Sequence, residues 1–334
     1  MKLTARLVLP LVLAFSLAAA TVRIVQTNSA GDNVHVIDPA TNKVVGVIHG
    51  IEVSHGVTVA PDGSRYFISN EAESTVDVVD TKSLQVIRNI PLSGRPNNIA
   101  IARDGKRVYV SIAVAPGAVD VIDTASLERI KSIPVKGAVH NTYVTPDGKF
   151  IIAGSVVGKL MTVIDAATEE PVWTLAFEGG VRPMAFEKNP DGSTKRIFVQ
   201  ISELHGFAAV DFATHKEIAR VVLPDPPGVK KNLEGIQGSP SHGIGISPDG
   251  KTIWATSKWY GYVFAYSMPD LKLLGGVPIG DVPDWLTFTP DSKSVYISCA
   301  GSNHVAVVDV AGRKLVTHIP VGHVPKRNVT AMLP

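Results

Sequence analysis

This sequence predicts an all-β fold, a seven-bladed β-propeller of four-stranded antiparallel blades. Three observations predict it. A strand-rich phrase recurs about every 42 residues. Each phrase carries a Pro-Asp-Gly turn or a close variant. The runs between turns alternate β-branched and polar residues, the period of a strand rather than a helix.

The turns come first because they punctuate the rest. They stand at Pro61-Asp62-Gly63, Pro146-Asp147-Gly148, Pro190-Asp191-Gly192 and Pro248-Asp249-Gly250, with variants at Arg103-Asp104-Gly105 and Pro290-Asp291-Ser292. Proline pre-sets φ and glycine accepts positive φ, so each is a tight strand connection. The strands that follow include Tyr66-Phe67-Ile68-Ser69-Asn70, Tyr109-Val110-Ser111 and Tyr296-Ile297-Ser298. Third strands end in Asp38, Asp80, Asp123, Asp165, Asp211 and Asp309. An Asp before such a turn takes local backbone hydrogen bonds, so these carboxylates are assigned to structure.

The segment before residue 50 holds only three strands, and the tail holds a lone strand at Asn328–Leu333. A tail strand completing the first blade closes the ring and removes exposed sheet edges.

The composition suits such a core. Hydrophobic residues make up 45% and charged residues 19% of 334, which excludes a disordered chain. The formal charge is +2 and no basic block occurs, so no nucleic-acid partner is expected. Lys2, Arg6, the apolar run Leu7 to Leu17 and Ala18-Ala19-Ala20 read as a signal peptide over residues 1–20. Residues 21–334 are then expected to form one propeller domain, periplasmic or secreted. No later apolar run is long enough for a membrane span. Cys299 is the sole cysteine, so no intramolecular disulfide forms; its strand context predicts a buried, inert thiol.

The tyrosine strands quoted above resemble the naming motif of the YVTN-type β-propeller repeat, and the resemblance covers nearly all of residues 21–334. It implies the propeller fold. It also points toward surface-layer proteins, relatives of the haem-d1-binding domain, and lyase-like and lactonase-like enzymes, without choosing among them.

Positions that the repeat does not require carry the functional reading. Counting back six residues from each turn proline, or its equivalent, reaches His55, Asn97, His140, Met184, His242 and Asp284. The tail contributes Lys326. These lie at the start of each innermost strand, around the channel. His55, His140 and His242 fall in alternate blades and form a candidate three-histidine site for copper, iron or zinc. Met184 is a candidate soft axial ligand. Glu203, Asp284 and His205 are candidates for proton transfer. Arg95, Arg182, Trp259, Tyr260 and Trp285 suit a small, anionic organic ligand at the channel mouth. The long connection Pro224 to Ser241 is a candidate lid or binding loop.

The expected function is a metal-dependent enzyme, of oxidoreductase or hydrolase/lyase type, acting on a small organic substrate. The alternative is a non-catalytic binding or interaction propeller of the cell envelope that presents its loops to a protein, polysaccharide or redox partner.

Overall fold

The computed structural model describes residues 20–334. The leader reading therefore lies almost wholly outside the described residues. Among those residues there is no helix long and apolar enough to cross a membrane.

Seven four-stranded antiparallel sheets form the molecule. Their innermost strands are Ser54–Val59, Pro96–Ile101, Val139–Val144, Val181–Lys188, Ser241–Ile246, Pro283–Phe288 and Pro325–Leu333. Each of these contacts the innermost strand of its neighbours and surrounds the axis. The last is the tail strand. It pairs antiparallel with Thr21–Asn28, from Thr21 opposite Leu333 to Val25 opposite Val329. Blade one is thus closed by the chain's C-terminal strand, as expected.

No single central core exists. Buried apolar residues fall into seven clusters, each lying between two adjacent blades. One joins Val25 and Val34 of blade one to Tyr66 and Ile68 of blade two. Another joins Ile24 and Ile37 to Tyr296 and Val307, across the point of ring closure. Alternation along each strand places apolar side chains toward both neighbouring blades, because every blade is covered on both faces.

The blades are also tied near the axis. Gly56 N–H donates to Ser69 Oγ at 2.7 Å, and Ser69 Oγ donates to the Asn97 carbonyl of the next blade at 2.6 Å. Ser111 takes Asn98 N–H in the same way, and Thr256 takes that of Gly243. The serine in the repeated tyrosine strand is therefore an inter-blade clamp. Each such buried bond contributes about 1 kcal/mol. A Cβ on Gly56 would lie 2.7 Å from the Asn97 carbonyl oxygen, so this approach requires glycine.

The Asp-ended strands behave as read. Asp80 accepts from Ser83 N–H, Asp123 from Ser126 and Asp165 from Thr168. Cys299 is fully buried, and burial pushes its thiol pKa up.

Candidate functional site: a buried polar ring on the axis

The ring arises from one repeated irregularity. Each inner strand pairs through its first residue, and then its register shifts. The shift is a β-bulge, which bends the strand and re-aims the next side chains. Residues one past the first pair are His55, Asn97, His140, Arg182, His242, Asp284 and Lys326. The next tier is Gly56, Asn98, Asn141, Pro183, Gly243, Trp285 and Arg327.

One expected position is corrected. The fifth blade contributes Arg182, not Met184. Val181 pairs with Ile201, as Ser54 pairs with Asn70, which puts Arg182 in phase with His55. The turn after this inner strand is two residues longer (Met184 to Pro190 against Val57 to Pro61), so counting back from the proline overshoots. Met184 lies in the apolar cluster between blades four and five and is no ligand at the axis. Arg95 lies in the loop before Pro96, two residues before Asn97, the position equivalent to Arg182.

The electrostatics of the ring follow from who pairs with whom. His55 Nδ1 is hydrogen-bonded to Glu71, which also receives Arg95 at 3.2 Å. Burial lowers the His55 pKa, opposed by Glu71, so Nδ1–H donates and Nε2 keeps its lone pair. Glu71 is disfavoured as an anion by burial, but the bond from His55 together with the charges of His55, Arg95 and Arg327 outweighs this and holds its pKa below the ordinary value. His242 Nδ1 donates to the Asp284 carbonyl oxygen at 2.7 Å, again leaving Nε2 basic.

His140 differs. Its Nδ1 lies 2.5 Å from the Asn141 amide. A guanidinium only donates, so Asn141 must turn its oxygen toward Arg327, where Nη1 lies at 3.1 Å. Its amide nitrogen then donates to His140 Nδ1 and leaves the proton on Nε2. Burial holds the His140 and His242 pKa values well below ordinary, and Arg327 pushes His140 further down.

Asp284 is 2% exposed, as is Lys258. Lys258 Nζ sits 2.5 Å from Asp284 Oδ1, and Lys326 Nζ 3.5 Å from Oδ2. Burial works against the Asp284 anion, but Lys258, Lys326 and His242 outweigh it and hold its pKa well below the carboxylate range. Burial lowers the Lys258 pKa, opposed by Asp284.

Arg327 is the residue that sequence reading missed. It is 2% exposed, donates to Asn97 Oδ1 at 2.8 Å, and stacks on Trp285 with 4.0 Å from Cζ to the ring centroid. No carboxylate among the described residues lies within ion-pair distance of it, and its Nε–H has no acceptor. The available signal was the residue after each counted position, since a bulge presents two successive side chains.

The other expected site residues separate into distinct places. His205 is buried off the ring, with Nε2 2.7 Å from Ser257 Oγ and its ring packed on Trp259 and Tyr260. Burial lowers its pKa to about 4. Glu203 is exposed on the loop between the second and third strands of blade five. Lys231 of the long connection lies over the Trp259 ring at 4.2 Å. The same connection offers its Gln237 carbonyl to Arg182 at 2.9 Å. Among the described residues, no group of three or more His, Cys, Asp or Glu is arranged to hold a metal ion. The three histidines share a phase, but Glu71 holds one and His140 carries its proton on the opposite nitrogen from the other two.

These neutral imidazoles predict acid sensitivity. Their folded pKa values lie below the ordinary 6.5, so the unfolded chain binds more protons as pH falls through 6.5. Each of His140 and His242 then withdraws about 1.4 kcal/mol of stability per pH unit. Urea unfolding at pH 7 and pH 5 measures the loss. It should shrink in a His140→Gln/His242→Gln variant, and equal loss in both proteins would contradict the assignment.

The class that fold and site define is a seven-bladed propeller with a cation-rich ring buried on its axis. The comparisons agree with that class. Residues 21–146 match the family described as Cytochrome D1 heme domain. A curated relative, the uncharacterized protein YncE of Salmonella typhi, is 28% identical over 97 residues. That match spans 29% of this chain and 27% of the relative's length. Among solved structures, hydrazine synthase from Kuenenia stuttgartiensis is 25% identical with a TM-score of 0.74, covering 85% of this chain and 91% of that one. The dihydro-heme d1 dehydrogenase NirN in complex with DHE shares the fold at 14% identity and TM-score 0.67, over 96% of this chain and 77% of that one. The periplasmic gluconolactonase PpgL of Pseudomonas aeruginosa does so at 16% and 0.75, over 94% and 99%. Together these matches show the propeller fold, with residues 21–146 similar to the Cytochrome D1 heme domain family.

Proposed function

We propose that this chain binds a small carboxylate-bearing organic ligand at the channel mouth. One observation carries the reading: the buried guanidinium of Arg327 has no carboxylate partner among the described residues. Holding an unpaired charge out of water costs several kcal/mol, and a ligand carboxylate offsets that cost. Lys326 adds a second cation close by, and its own partner Asp284 is shared with Lys258. His55 and His242 offer basic Nε2 atoms, and His140 offers an N–H, so a bound ligand meets acceptors and a donor together.

The family match raises a haem-type group, whose peripheral carboxylates suit Arg327 and Lys326. His242, with Nε2 free, would hold its iron, and the iron would supply redox chemistry. A metal would thus arrive with its ligand rather than be held by three histidines. The leader over residues 1–20 adds export to the proposal.

The test is native mass spectrometry and elemental analysis of the protein isolated from its own envelope fraction. The proposal expects a mature chain beginning at Thr21 and a co-purifying carboxylate-bearing molecule. A metal bound in one-to-one ratio without organic ligand, and lost from a folded His55→Ala/His140→Ala/His242→Ala variant, would restore the three-histidine reading instead. A catalytic role for Asp284, Glu203 or His205 is not part of the proposal: Asp284 is engaged by lysines, and the other two lie off the ring.

A further inference from the structure

Arg182 belongs to two places at once. It stands in the ring phase between His140 and His242, and it also lines a groove of ≈ 530 Å³ between blades four and five. That volume suits a small organic molecule. Arg182 is 8% exposed; its Nε donates to Ser202 Oγ at 2.8 Å and its Nη2 to the Gln237 carbonyl at 2.9 Å. No carboxylate among the described residues lies within ion-pair distance of it.

The groove continues outward past Gly179 and Gly180 to Lys159, which is exposed and has no ion-pair partner among the described residues. Among the described residues, no protein acceptor takes the backbone N–H of Gly179 or of Gly180. In two other blades the corresponding connection ties an amide internally: Ser93 N–H to Asp120 and Asp281 N–H to Ser302. Free amides beside an unpaired ammonium are an anion-binding arrangement. Glu178 also lines the groove but is engaged by Arg220 at 2.9 Å. Glu203 lines it too and sets a like charge against an anion there.

We infer that the groove is a second subsite for the same ligand. The ligand is then an elongated organic dianion, with one carboxylate at Arg327 and the other beside Gly179, Gly180 and Lys159. Arg182 is the cation between them. The inference rests on the channel-mouth reading and adds the ligand's length and second charge.

Calorimetric titration of the full mature chain with succinate, adipate, sebacate and monomethyl adipate tests it. Affinity should rise with length among the diacids, and adipate or sebacate should bind about tenfold or more tighter than monomethyl adipate. In Lys159→Glu that ratio should fall to about one, and Lys159→Arg should preserve it. Equal binding of diacid and monoester by the native chain would overturn the second subsite while leaving the channel-mouth reading intact. Binding of neither would overturn both.

Discussion

Replacing Arg327 by methionine should abolish carboxylate binding, by about a hundredfold or more, without destabilising the protein. The two halves of this expectation have one cause. Arg327 is buried, stacked on Trp285 and bonded to neutral groups, with no carboxylate among the described residues in ion-pair reach. Removing a buried charge that lacks a partner relieves a desolvation cost, and apolar replacements of buried ions are often neutral or stabilising. Removing the cation that meets a ligand carboxylate costs about 2–5 kcal/mol in binding. Thermal unfolding without ligand and calorimetry with adipate measure the two separately. A purely structural arginine would give the reverse, a fall in Tm with binding retained in the folded fraction, and that outcome would refute the assignment.

Asp284→Asn should destabilise the protein by about 3–5 kcal/mol, because it strands Lys258 as a buried, unpaired ammonium. Adding Lys258→Met should recover most of the loss. A double variant as unstable as the single one would show that Asp284 acts through packing instead. The pH dependence separates this ion pair from the histidines. The folded Asp284 pKa is depressed, so its contribution is present above the ordinary carboxylate value and is lost only as pH falls through its lower folded value. A fall in stability between pH 6.5 and pH 5 therefore belongs to the histidines, whereas a further fall in strong acid belongs to the carboxylates.

The ring's composition explains why a three-histidine metal centre was the natural expectation, and its hydrogen bonding is what led us to propose an anion instead. Phase within a repeat is legible, so His55, His140 and His242 emerged together. Phase does not report hydrogen bonding. Glu71 follows the second strand of blade two and reaches back to His55, a contact between loop and inner strand that no spacing announces. Lys258 is equally remote from Asp284 in sequence and yet forms its ion pair. Such pairings set which imidazole nitrogen is protonated and the sign of the local charge.

Arg182 and Arg327 show the same limit in register. The blade-five turn is longer, so a fixed offset from its proline landed on a core methionine. The bulge at each inner strand presents two successive side chains to the axis, so counting a single tier omitted Arg327. Both errors come from local backbone irregularities that leave little mark in the sequence.

What the sequence determined alone was the architecture. Periodic strands, Pro-Asp-Gly turns and an incomplete first unit imply seven blades closed by the tail, because each rests on local conformational preference and on burial of alternating faces. The serine of the tyrosine strand, the Asp-ended turns and the buried Cys299 follow from the same local rules. Only the tertiary structure decided the charge at the axis. Electrostatic environment depends on distances between residues far apart in the chain, and here those distances leave two buried guanidinium groups among the described residues, those of Arg327 and Arg182, without a counter-ion.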